Sequence, residues 1–138
     1  MGIKCETEYL LKALKSKDRQ IRRKAVYLLS EVKDKRVMKA LISATRDIDE
    51  EVSLTALNIL GKKYPGWSLS KEMKKMISSF IADMKSKEEF VRERAMRILK
   101  ELRDKQLVPV FIEGLKDESL SVREYAVEGL ERLRDPAG

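Results

Sequence analysis

One helical stretch, Val91-Arg92-Glu93-Arg94-Ala95-Met96-Arg97-Ile98-Leu99-Lys100-Glu101-Leu102, recurs four times and constrains the fold more than any other feature of the chain. Aligned on Ala95, it brings Ile21-Arg22-x-x-Ala25-x-x-x-Leu29, Val52-Ser53-x-x-Ala56-x-x-x-Leu60 and Val122-Arg123-x-x-Ala126-x-x-x-Leu130 into register, with successive alanines 31, 39 and 31 residues apart. A unit of that length cannot bury its apolar face alone. Recurrence at this period is the signature of stacked supersecondary elements, each covering its neighbours.

Each recurrence is preceded by a second amphipathic segment in the same register. Leu10, Leu41, Phe80 and Phe111 stand eleven residues before the reference Ile21, Val52, Val91 and Val122. Leu11, Ile42, Ile81 and Ile112 follow them, and Leu14, Thr45, Met84 and Leu115 complete an i, i+1, i+4 stripe on one helix face. The pattern predicts two helices per unit. In the first unit the second helix carries its own stripe at Ile21, Ala25, Val26, Leu28, Leu29 and Val32. Gly129 replaces the Leu28 equivalent in the last unit, which predicts looser packing there and a cost of about 1 kcal/mol in helix propensity.

Short polar turns separate the two helices of each unit: Lys15-Ser16-Lys17-Asp18, Arg46-Asp47-Ile48-Asp49, Lys85-Ser86-Lys87-Glu88 and Lys116-Asp117-Glu118-Ser119. Ser86 with Glu89, and Asp47 with Glu50, have the spacing of a capping box. The longer middle interval comes from Lys63-Tyr64-Pro65-Gly66-Trp67-Ser68-Leu69-Ser70, where Pro-Gly ends a helix. Trp67, the single tryptophan, reads either as an indole folded back on the apolar edge or as an anchor for a partner. Asp135-Pro136 is a helix stop, and the tail after it is expected to fray.

The chain of 138 residues reads as one all-α domain, with repeats at about 6–35, 36–66, 67–105 and 106–135. Its 38% charged and 6% aromatic residues suit solvated helices and are poor for a sandwich or barrel. No run approaches the roughly 20 apolar residues that cross a bilayer, and the amino terminus has no signal-peptide core, so a cytoplasmic protein without membrane contact is expected. Cys5 is the only cysteine and reads as an incidental thiol. Low Asn and Gln with abundant Lys and Glu is a thermophile tendency. Histidine is absent, which removes the commonest general base, the Ser/His and Cys/His nucleophile pairs and histidine metal sites. The expectation is a protein that is not an enzyme, with no catalytic residue, cofactor or metal.

Two segments, Asp49-x-x-Val52-x-x-x-Ala56-x-x-x-Leu60 and Leu115-x-Asp117-x-x-x-x-Val122-Arg123-x-x-Ala126-x-x-x-Leu130, resemble HEAT repeats. The resemblance is to the short form found in phycobilin-lyase-like proteins and in many small archaeal and bacterial proteins, and it runs from about Glu6 to Arg134. It implies a right-handed α-solenoid, a HEAT-like superhelix of four helix pairs. It also implies an arginine–aspartate ladder between units, formed by Arg22, Arg92 and Arg123 with Asp18, Asp49 and Asp117. Ser53 in place of arginine and Glu88 in place of aspartate should interrupt that ladder. Enzymes of similar fold depend on His-Glu pairs, on more repeats with a bilin-producing host, or on longer basic grooves, and none of these matches this chain.

In such a stack the second helices line the concave face, where solenoids bind. Its outward positions are Lys24 and Tyr27, Thr55 and Asn58, Arg94 and Arg97, and Tyr125 and Glu128, with Lys62 and Arg132 a turn further on. The expected partner-binding residues are therefore Lys24, Tyr27, Asn58, Lys62, Arg94, Arg97, Tyr125 and Arg132. The net charge is +7, and it is polarised: residues 1–35 carry ten basic and five acidic side chains, whereas residues 106–138 carry four and seven. This favours a protein scaffold that binds an acidic helix or extended segment. The alternative is sequence-independent nucleic-acid binding through Arg22, Arg23, Lys24, Arg92, Arg94 and Arg97. The charge polarity also predicts a monomer with a weak, salt-sensitive head-to-tail tendency.

Overall fold

A computed structural model describes residues 3–134; Cys5 and the tail from Asp135 onward, with the fraying expected there, lie outside the described side chains and residues. Eight α-helices and no strand occur among the described residues. They are α1 Ile3–Ala13, α2 Arg19–Leu29, α3 Lys35–Ala44, α4 Glu50–Lys63, α5 Lys71–Asp83, α6 Glu89–Leu99, α7 Val108–Gly114 and α8 Leu120–Arg134. Short 3-10 turns at Trp67–Leu69 and Lys105–Leu107 lead into α5 and α7.

The chain divides into two compact units, Met1–Trp67 and Ser68–Gly138, each holding two helix pairs. Positions 70 residues apart correspond, as Ala25 does to Ala95 and Ala56 to Ala126. All four of these alanines are buried, because a methyl group is what fits where paired helices approach most closely. In the first unit Val26, Leu29, Leu41, Ile42, Val52 and Leu60 are almost wholly buried around them; in the second, Met73, Phe80, Met96, Leu99, Leu107, Phe111 and Val122 are. Each such side chain contributes about 1.5–3 kcal/mol of transfer free energy.

Three expectations about the core are corrected. Ile21 and Leu28 do not join the stripe of α2 and stand 45% and 53% exposed, because its buried arc is set by Ala25, Val26 and Leu29. Ile112 in α7 and Leu115 just after it are exposed, although their counterparts Ile42 and Thr45 are fully buried. Gly129 tightens the packing: a Cβ there would lie 2.6 Å from the Phe111 ring. Leu41 and Ile59 hold the same two positions in the first unit, so the bulk of Phe111 is balanced by the missing side chain opposite it.

The caps also differ from the capping-box reading. The N-caps of α2 and α4 are Asp18 and Asp49, whose carboxylates accept from Gln20 N–H at 2.8 Å and Val52 N–H at 3.2 Å. Asp47 and Ser86 stand two residues earlier and accept from the N–H groups of Asp49 and Glu88, at 2.8 and 3.1 Å. They close the turn and leave the helix terminus to the next residue but one. Trp67 is buried, and the turn before it uses Gly66 at φ 86°, a left-handed conformation that favours glycine.

Candidate partner-binding site

Within each unit the second helices pack together, α2 on α4 and α6 on α8. Arginine–aspartate ties hold them. Arg22 donates from Nε and Nη2 to Asp47 at 2.9 and 3.2 Å, and from Nη1 to the Ser16 carbonyl at 2.8 Å. Arg92 repeats the arrangement with Asp117 at 3.0 and 3.1 Å and the Ser86 carbonyl at 2.9 Å. The ladder therefore uses Asp47, five residues before the reference valine, where Asp49 was expected. Asp49 instead receives two hydrogen bonds from Arg23, both of 2.8 Å, and Asp18 serves as a cap. Arg123 donates to the carbonyls of Asp117 and Glu118 at 2.7 and 3.1 Å. Ser53, where arginine is absent, donates to the Thr45 carbonyl at 2.7 Å inside the core.

These ties set the carboxylates. Hydrogen bonds from Arg23 hold the Asp49 carboxyl below the usual range, against the opposing effect of its burial. Burial is the largest influence on Asp117 and pushes its carboxyl up, but the hydrogen bonds from Arg92 and the Ser119 N–H, with the charges of Arg92 and Arg123, outweigh it and leave the group lowered.

The eight expected binding residues separate by unit. On the α2–α4 face Lys24, Asn58 and Lys62 are exposed, and Tyr27 is 72% exposed. Tyr27 is common to two adjoining depressions, one of about 240 Å³ reaching Thr55, Asn58 and Lys62, the other of about 380 Å³ reaching Lys24, Leu28 and Thr55. Neither Lys24 nor Lys62 forms an ion pair with a described residue. Lys63 donates to the Ser30 carbonyl at one end of this face, and Arg23 reaches Glu51 at 3.7 Å at the other.

The corresponding residues of the second unit are engaged. Arg94 and Arg97 are only 9% and 7% exposed, and Arg94 lies 3.5 Å from Asp83. Lys100, 8% exposed, is held by Glu101 at 2.7 Å and Glu128 at 2.9 Å, with its ammonium 5.5 Å from the centre of the Tyr125 ring. Arg132 completes the network with Glu101 at 2.8 Å. Neither Leu28 nor Lys100 was among the expected site residues: Leu28 had the spacing of a core residue, and Lys100 stands where the first unit has Ser30. Of the six cations expected to meet phosphates, Arg22, Arg23 and Arg92 are bound to aspartates and Arg94 and Arg97 are buried, so Lys24 alone stands open. Among the described residues no group of three or more Asp, Glu or Cys is placed to hold a metal ion, and no helix is long and apolar enough to cross a membrane.

Paired helices in repeated register, tied through their second members, define an α-solenoid repeat protein. The model of HEAT repeats matches residues 7–66 and 77–138, and the chain belongs to the HEAT-repeat family. The two matched segments begin 70 residues apart, the same offset that relates the two units. No curated protein matches the sequence. The crystal structure of an engineered protein from the Northeast Structural Genomics Consortium is similar in fold, with a TM-score of 0.57 at 18% identity over 93% of this chain. The match spans 62% of that engineered protein.

Proposed function

We propose that the protein is a non-catalytic interaction module whose α2–α4 face holds an acidic segment of another protein. One observation carries this reading: Lys24 and Lys62, which have no ion-pair partner among the described residues, flank the exposed Tyr27 ring, whereas their counterparts in the second unit are buried or already neutralised. An aromatic body with a polar tip between free cations suits a chain that brings carboxylates and an apolar side chain together. Thr55 and Asn58 add uncharged hydrogen-bonding groups on the floor between them. The polarity of charge along the chain further favours weak head-to-tail self-association at low salt.

The test is capture of a partner by the wild-type protein, followed by titration of that partner against variants. Lys24→Glu with Lys62→Glu, and separately Tyr27→Ala, should each weaken binding at least about tenfold, or about 1.4 kcal/mol. Arg132→Ala should change it little. Equal binding by all of these variants would place the site elsewhere, and turnover of a small molecule by the purified protein without a partner would overturn the non-catalytic reading.

A further inference from the structure

We propose that the groove between α1 and α3 is a second docking site, which takes an acidic amphipathic helix of a partner protein. It lies on the first helices of the repeats and is independent of the α2–α4 face. The groove encloses about 470 Å³, with Leu11, Leu14, Ala40 and Ala44 along its floor. Leu11, Leu14 and Ala40 are only half-buried, so apolar surface that a guest could cover is left against water.

The walls decide the form of the guest. Both are α-helices, whose backbone N–H and C=O groups are already paired within each helix. An extended segment laid between them would bury polar backbone groups with nothing to bond to. A helix brings its own hydrogen bonds and can offer the floor an apolar stripe at i, i+3, i+4 and i+7.

The rim decides its charge. Lys12, Lys15 and Lys39 are exposed and form no ion pair with a described residue. The other charges at the rim are occupied: Arg36 by Asp34 at 2.8 Å and Glu8 at 3.6 Å, and Asp47 by Arg22 at 2.9 Å. Three unsatisfied ammonium groups beside an apolar floor fit a helix that carries Asp or Glu on both sides of its apolar stripe.

The second unit contains the comparison. A groove of about 460 Å³ lies between α5 and α7, and Ile81, Met84, Val110 and Gly114 stand where the first groove has its floor. The rim has changed. Ala82 and Pro109 stand where the first groove has Lys12 and Lys39, Lys116 faces Glu113 at 3.8 Å, and of the three free lysines the exposed Lys85 keeps the place of Lys15. An acidic helix therefore meets three free lysines at the first groove and one at the second, which is of nearly equal size.

The probe is a fluorescein-labelled, capped peptide of about 15 residues, long enough for four helical turns, with Leu at i, i+3, i+4 and i+7 and Glu at most other positions. Fluorescence anisotropy with the whole protein should show saturable binding. The triple charge reversal Lys12→Glu, Lys15→Glu, Lys39→Glu should weaken it at least about tenfold, and so should Ala40→Trp, which fills the floor. Val110→Trp in the second groove and Tyr27→Ala on the α2–α4 face should leave it within about twofold. The charge reversals lie on exposed positions, so the variant keeps its fold, as circular dichroism will show. Absence of saturable binding overturns the proposal. So does equal binding of a scrambled peptide of the same composition, which would reduce the interaction to charge, or loss of binding in Val110→Trp or Tyr27→Ala while Ala40→Trp binds normally. If a short DNA duplex binds through the same three lysines and the peptide does not, the groove is a phosphate surface and the proposal fails.

Discussion

Single residues carry the differences between the two units, and they change in compensating pairs. Phe111 against Gly129 takes the positions of Leu41 and Ile59, and Met96 against Gly114 takes those of Val26 and Ala44. Arg23 bonded to Asp49 becomes Glu93 accepting from the Ser119 hydroxyl at 3.0 Å, with donor and acceptor exchanged. The two glycines should answer differently to alanine. At Gly129 the new Cβ meets three atoms of the rigid Phe111 ring at 2.6–2.8 Å, and Gly129→Ala should cost about 1–3 kcal/mol although alanine is the better helix former. At Gly114 the new Cβ meets the terminal methyl of Met96 at 2.7 Å, a flexible end that can shift, and the Ala126 Cβ at 3.0 Å, which is fixed to the α8 backbone and yields only by a few tenths of an ångström. Gly114→Ala should therefore be destabilising by about 1 kcal/mol, less than Gly129→Ala. Thermal or denaturant unfolding measures both, and Phe111→Leu should restore part of the loss in Gly129→Ala. The sequence read Gly129 as a weak point because helix propensity belongs to the residue alone, whereas the Phe111 ring that needs the space comes from another helix.

At the scale of helices and turns, the ties between α2 and α4 and between α6 and α8 make stability depend on acid. Asp49 and Asp117 both have folded-state carboxyl values lowered from the usual one. The folded state therefore binds fewer protons than the unfolded chain as pH falls through the ordinary carboxylate range. Their contribution is complete above about pH 4 and is lost as pH falls further, through the lowered folded values. Denaturant midpoints should hold steady from about pH 7 to 5 and then drop below about pH 4. Asp117→Asn should be less stable than wild type at neutral pH by about 1–2 kcal/mol and should lose less on acidification. A wild-type midpoint that did not move between pH 5 and 3 would refute the assignment of stability to these ties. The helices themselves were legible because the 3.6-residue stripe and the polar turns are local signals. The ladder was legible only in kind: Asp47 and Asp49 are two residues apart in one turn, and whether Arg22 meets the first or the second depends on side-chain directions that spacing does not specify.

For the whole chain, the first 35 residues carry ten cations against five anions, and the last 33 carry four against seven. Light scattering at low and high salt should show a monomer that gains apparent mass with concentration at low ionic strength and loses that gain when the Debye length shrinks to about 8 Å at physiological salt. A closed, salt-independent dimer would remove charge polarity as the governing force. The sequence by itself determined the all-α class, the four helix pairs and the HEAT family, because those features rest on periodicity and on alanines whose small size is needed wherever paired helices touch. It did not separate Lys24 and Tyr27 from Arg94 and Arg97, which occupy equivalent places in the repeat yet stand open in one unit and buried in the other. Only the tertiary structure decided which cations remain free to meet a partner, because exposure and ion pairing depend on what surrounds a side chain in space, and a repeat gives equivalent residues the same spacing without giving them the same neighbours.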